Sequence, residues 1–260
     1  MSDDDAAESL AEGSLISHLI ELRNRLLRAV IALAIAFVPC AIFADKLFSL
    51  VAMPLIQKLP KGASMIATSP MATFMAPLKL ALFVALFAAM PIVLYQVWAF
   101  VAPGLYRHEK RFAIPLAVSS IVLFYAGVAF AYFVVFPLMF SFFSGAAPGG
   151  IQYSPDMTQY LDFVLLLFFA FGIAFEIPVA TVLLASTGLV KVETMTKNRG
   201  YVVLGIFVVA AFLTPPDALS QSFMAIPMYI LYELGIIMSR VLLKERLARS
   251  RTEEEQKAQS

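Results

Sequence analysis

Three carboxylates stand where a carboxylate needs a reason. Glu176 lies inside the apolar stretch 161–187, and an ionised carboxylate at bilayer depth costs on the order of 2.5 kcal/mol or more, so it requires a proton, a polar partner or water. Glu21 and Glu109 each sit among basic residues at the edge of an apolar run. Two such acids suit the reception of a cation, and guanidinium fits best because its planar fork meets both carboxylate oxygens. Covalent chemistry finds no support. The sequence holds two histidines, His18 and His108, and one cysteine, Cys40. It has no phosphate-binding glycine loop, no His-Glu-x-x-His, no metal-ligand cluster and no nucleophile triad. No catalytic residue, metal or cofactor is expected, and the chain is not read as an enzyme.

Each acid has a plain reading beside the functional one. On a helix, Ser17-His18-Leu19-Ile20-Glu21-Leu22-Arg23-Asn24-Arg25-Leu26 puts His18, Glu21 and Arg25 on one face and Leu19, Leu22 and Leu26 on another. Glu21 in this amphipathic segment either only pairs with Arg25 or is a recognition anion. In the stretch 95–111, Pro103-Gly104 breaks the helix and Trp98, Phe100 and Tyr106 suit a membrane interface. Glu109 there is either a neutralising loop charge or a second receiving anion. Pro178 deprives the Ala174 carbonyl of its usual donor. Glu176 therefore either plugs that gap in its protonated form, acts as a proton-linked switch, or anchors a partner helix. Gln221 and Glu233 are further polar groups in the last apolar run.

Helices must hold these residues. Hydrophobic residues make up 61% of 260 and charged residues 14%, and apolar runs of membrane-spanning length recur, which marks a polytopic membrane protein. Six segments are read as spans: 26–44, 78–102, 112–136, 161–187, 200–213 and 223–238. Backbone groups in lipid must be satisfied internally, so each is helical and the fold is all-α. Pro39, Pro91, Pro115, Pro137, Pro178 and Pro227 fall inside or at the ends of spans, and the bends they impose predict a curved, concave bundle. The segment 200–213 reaches only about 21 Å against a hydrocarbon core of roughly 30 Å. Either its helix extends at the ends or the bilayer thins beside it. The short turn Thr214-Pro215-Pro216-Asp217 predicts an antiparallel hairpin of the last two spans.

Of 19 lysines and arginines, Lys46, Lys58, Lys61 and Lys79 fall on one side of the alternating spans and the other fifteen on the opposite side. The positive-inside rule then places both termini in the cytoplasm and loops 45–77 and 137–160 outside. The predicted organisation is an N-terminal cytoplasmic segment 1–25 with an interfacial helix, a six-helix membrane domain 26–240, and a charged cytoplasmic tail 241–260 without order. Residues 1–25 lack the apolar region of a signal peptide, so the first span is expected to serve as the insertion signal. Neither end reads as a nucleic-acid arm. Cys40, alone in an apolar run, is a small packing residue.

With these residues in view, the chain resembles the TatC family, the large subunit of the twin-arginine protein translocase. The likeness runs from His18 to about Arg240. It rests on His18-Leu19-Ile20-Glu21-Leu22-Arg23-Asn24-Arg25, Gln96-Val97-Trp98-Ala99-Phe100-Val101-Ala102-Pro103-Gly104-Leu105-Tyr106, Phe175-Glu176-Ile177-Pro178 and Leu213-Thr214-Pro215-Pro216-Asp217. The resemblance implies a receptor in the bacterial inner membrane for signal peptides carrying paired arginines. It implies the single-span partners TatB and TatA, self-association, and transport of folded proteins driven by the proton-motive force. It assigns Glu21 and Glu109 to the arginine pair, with Arg23, Phe100, Pro103 and Leu105 in the same motifs. Glu176 would line the concave groove, and Pro54, Asp217 and Gln221 would be sensitive positions toward the outer face. The rival reading is a proton-coupled small-solute transporter with Glu176 as proton carrier; the absence of a visible inverted repeat and the cytoplasmic placement of two acids count against it.

Overall fold

The computed structural model describes residues 3–56, 65–101, 110–145, 154–214 and 217–259. These form helices α1 (Asp3–Ile42), α2 (Ala44–Ile56), α3 (Ala72–Val101), α4 (Lys110–Phe130), α5 (Phe136–Gly145), α6 (Met157–Ala174), α7 (Ile177–Ser186), α8 (Val192–Lys197), α9 (Arg199–Leu213) and α10 (Ala218–Gln259), with a π-turn at Ala131–Val135 between α4 and α5. Strand-type pairing among the described residues is a single bridge, Ile66 to Asp156. The fold is all-α, as the sequence requires. Five stretches are long and apolar enough to cross a membrane: Ile16–Ile42, Ala72–Phe100, Ile114–Phe142, Met157–Ser186 and Ala218–Leu242. Helix α9, with 15 residues, is the short apolar one and spans about 22 Å.

The chain divides into two units, Met1–Leu50 with Phe74–Ile121, and Val51–Thr73 with Val122–Ser260. In the first, α3 buries a row of small residues, Ala76, Ala81, Ala85 and Ala89, while α1 leaves Leu19, Leu26, Ile31, Ile35 and Val38 exposed. Such a surface is what lipid solvates.

In the second unit an aromatic ladder fixes α5 and the π-turn to α6. The rings of Phe136 and Phe168 stack at 5.1 Å, and Phe140 meets Tyr160 at 5.3 Å. The third span, expected over 112–136, instead runs over Ile114–Phe142, and this boundary is corrected. The π-turn widens the helix just before Pro137 and the chain continues as α5, since proline at the first positions of a new helical segment lacks only a donor that would go unused. The connection 45–77, expected as a loop, is likewise partly helical, because α2 occupies its first part. Tyr160 Oη donates to the Val51 carbonyl at 2.8 Å, tying α6 to the end of α2.

Beside that tie, Asp156 caps α6. Its Oδ1 accepts from the amides of Thr158 (2.9 Å) and Gln159 (3.0 Å), and its Oδ2 from the amide (3.2 Å) and hydroxyl (2.8 Å) of Thr68. The Gln159 amide first, then the Thr68 hydroxyl, hold this carboxyl below the usual aspartate range. A depressed folded value means the lock is complete above the ordinary aspartate pKa near about 3.9 and is lost only as pH falls through the lower folded value. Hydrogen-exchange protection of the Thr68 amide should therefore persist from neutral pH to about pH 4 and collapse below it. Collapse already near pH 6 would contradict the lock.

Glycines mark the closest helix crossings. A Cβ on Gly127 of α4 would collide with the Phe171 carbonyl oxygen of α6, and one on Gly235 of α10 with Thr181 Oγ1 while lying 3.0 Å from Pro178 Cα of α7. A Cβ on Gly205 of α9 meets nothing within 4 Å. Gly127→Ala is expected to destabilise by about 2–3 kcal/mol, because a backbone carbonyl cannot turn aside. Gly205→Ala should be neutral or stabilising by about 0.5–1 kcal/mol. Thermal unfolding of both variants in detergent checks the contrast, and equal midpoints would remove it.

Helix α10 packs mainly on α7 and also on α8 and α9. It continues through the charged tail to Gln259, where the sequence reading expected no order; residues 244–259 are rich in Glu, Lys, Arg, Gln and Ala, all strong helix formers.

Candidate functional site

The N-terminal acid lies at a meeting of two helices within the first unit. Helix α1 carries Ser17, Ile20, Glu21, Asn24, Arg25 and Arg28 along one face, by i+3 and i+4 steps, and these residues line a cavity of about 340 Å³. Arg25 donates to Glu21 Oε1 from Nε at 3.0 Å and from Nη2 at 2.5 Å. Its third nitrogen, Nη1, reaches Oε1 of Gln96 on α3 at 3.4 Å. One helical turn earlier, His18 stacks on Phe100 of α3 with ring centroids 4.3 Å apart. Glu21 keeps 37% side-chain exposure against 19% for Arg25, so solvent or a ligand reaches the acid more readily than the base beside it.

The expected pairing of Glu21 with Arg25 on one helix face is thus present, and the contact with Gln96 adds what spacing did not reveal. Gln96 was quoted only as part of a motif, and no local pattern links it to a residue 71 positions away. Arg23 is exposed and hydrogen-bonds Asn24 Oδ1 at 3.4 Å. Phe100 joins the site through His18. Glu109, Pro103 and Leu105 lie outside the described residues.

Glu176 sits at the break of the long Met157–Ser186 stretch. Helix α6 ends at Ala174, Phe175 and Glu176 form a turn, and α7 resumes at Ile177 with Pro178 in its first turn. Where the sequence predicts a bend at Pro178, the structure has a full interruption between two helices. The turn keeps its backbone bonds, with the Glu176 amide donating to Ile173 O at 2.9 Å and the Glu176 carbonyl accepting from Ala180 N at 2.9 Å. The residue is half-buried, with Oε1 hidden from solvent.

Asp217 has a structural task. Its Oδ1 accepts from the Ser220 amide at 2.7 Å and caps α10, and that bond holds its carboxyl below the usual range. Gln221, half-buried, follows in the first turn of α10. Pro54 lies in α2.

One cluster escaped the sequence reading. Arg199 at the start of α9 reaches Glu233 of α10 side-on, Nε to Oε1 at 2.6 Å and Nη2 to Oε2 at 2.7 Å, while Tyr229 Oη donates to Oε1 at 2.9 Å. An acid in an apolar run demands a cation, and Arg199 had been counted only for orientation. Tyr232 Oη donates to Met195 O at 2.9 Å nearby, so the α8–α9 corner is fastened to α10. Among the described residues no group of three or more His, Cys, Asp or Glu could hold a metal ion.

Known proteins resemble this chain over most of its length. The family model for TatC, the Sec-independent protein translocase protein, matches residues 17–227. The Sec-independent protein translocase protein TatC of Azotobacter chroococcum mcd 1 is 54% identical over 237 residues, covering 91% of this chain and 93% of that protein. That of Escherichia coli K12 is 53% identical over 226 residues, covering 87% and 88%. A crystal structure described as the twin arginine translocase receptor TatC superposes with a TM-score of 0.77 at 38% identity, covering 86% of this chain and 98% of that one. A multi-pass helical membrane protein with this coverage has a role in protein transport, and the chain belongs to the TatC family.

Proposed function

We propose that this protein is the signal-peptide receptor and core subunit of a twin-arginine translocase. Glu21 and Glu109 receive the two guanidinium groups of the signal peptide, with Arg23, Phe100, Pro103 and Leu105 shaping the cytoplasmic surface around them. Six spans, α9 among them as the short fifth, place both termini in the cytoplasm of the inner membrane. TatB and TatA dock along the membrane face that includes Glu176 and Gln221, copies of the chain associate, and Pro54 and Asp217 serve the outer loops. The proton-motive force drives transport of folded cargo, and no covalent chemistry is involved.

The observation that carries this reading is the guanidinium already seated on Glu21: the acid accepts two N–H donors from one arginine fork, the chemistry a twin-arginine ligand would present. The solved relative described as a twin-arginine translocase receptor supports it. Binding of a twin-arginine signal peptide and its twin-lysine counterpart to the membrane-embedded complex tests it. Strong retention of the first and weak retention of the second is expected, because an ammonium cannot form the planar fork. Equal retention, or none, would remove the receptor reading.

A further inference from the structure

The receiving acid is not empty, since the chain's own Arg25 holds it. Both Arg25 donors converge on one oxygen, Oε1 of Glu21, which falls short of the two-oxygen fork that gives arginine–carboxylate pairs their strength. The same guanidinium has a second acceptor in reach, Gln96 Oε1 at 3.4 Å. Gln96 is buried on α3, so that acceptor is fixed in place. Partly exposed pairs at i,i+4 on a helix are among the weakest ion pairs, so this one opens at little cost.

We propose that Arg25 is a built-in competitor that tunes the affinity of the site, an internal stand-in for the ligand's arginine that must be displaced from Glu21 before a signal peptide binds, and that Gln96 retains the displaced guanidinium. This rests on the receptor reading of Glu21. The displaced group keeps a hydrogen-bond acceptor, so the exchange swaps one guanidinium for another on the acid. An incoming arginine can match the resident group and use the second oxygen as well. An incoming lysine offers a single point charge and competes poorly. Displacement costs the same whichever peptide arrives, so Arg25 lowers the affinity of the site for both, and discrimination between them rests on the contact with Glu21.

Titration of a fluorescent twin-arginine signal peptide and its twin-lysine version against the full chain in nanodiscs decides the matter. Arg25→Gln should bind the twin-arginine peptide about two- to fivefold more tightly, as loss of a weak competing pair allows. The twin-lysine peptide should gain by the same factor, so the ratio between them stays as in the parent chain, with Arg25→Lys intermediate in affinity. Weaker or unchanged binding of both peptides would overturn the proposal and leave Arg25 a structural residue. Glu21→Gln separates the two layers. If it weakens peptide binding while Arg25→Gln does not tighten it, the receptor reading stands and the stand-in falls. If it leaves binding unchanged, both fall. Circular dichroism of Arg25→Lys confirms that the comparison is made on folded protein.

Discussion

Replacing Glu21 by alanine is expected to weaken twin-arginine peptide binding by about ten- to a hundredfold, since a hydrogen bond to a charged group is worth about 1.5–3 kcal/mol. The same change at Glu109 should match it. Glu21 is the acid that a guanidinium already occupies in the described structure, and its partial exposure lets a ligand's guanidinium replace the resident one. The loss should appear in affinity and not in assembly, because the i,i+4 pair that disappears contributes only about 0.3–0.5 kcal/mol to the helix. Fluorescence titration with a labelled signal peptide reads the effect. Unchanged affinity in both Glu21→Ala and Glu109→Ala would sink the two-acid site.

Glu176 should give the larger graded series. Glu176 lies in the turn between α6, which ends at Ala174, and α7, which starts at Ile177, and in the proposed docking role its polar group serves a partner helix there. Glu176→Gln keeps the hydrogen-bonding shape and should preserve folding and much of the transport. Glu176→Ala should disturb crosslinking to the single-span partners. Glu176→Lys places a cation at membrane depth at a cost of about 2.5–3.5 kcal/mol, which lowers the correctly assembled population by about two orders of magnitude. If Glu176→Gln abolished transport as fully as Glu176→Lys with insertion and peptide binding intact, a titrating role would replace the hydrogen-bonding one. Wild-type behaviour of Glu176→Ala in crosslinking and transport would leave only the local plug.

Much of the fold was legible because membrane spans report themselves through long apolar runs, and a disturbance at Pro178 because proline removes a donor wherever it sits, though the sequence reads as a bend what the structure shows as a break. Continuity past Pro137 was hidden, since a π-turn has no local signature and proline ordinarily reads as a stop. Helix α2 was missed for a related reason: Ala44–Ile56 is short and lies between spans, where an apolar run also reads as loop. At the site, the i+4 link from Glu21 to Arg25 could be read from spacing. The tie to Gln96, the stacking of His18 on Phe100 and the fork of Arg199 on Glu233 could not, because each joins positions 34 to 82 residues apart that only the packing of helices brings together.

The central claim is that the α1 face around Glu21 holds the arginine pair. Ile20 lines the same cavity and is exposed, so a photoreactive amino acid in its place would sit beside the bound pair without removing a charge. Irradiation of native-membrane vesicles with a labelled signal peptide should give an adduct mapping to the residues next to the paired arginines, lost on adding unlabelled twin-arginine peptide and kept on adding the twin-lysine form. A peptide that stays bound yet forms no adduct at position 20, or an adduct that both competitors remove equally, would contradict the account.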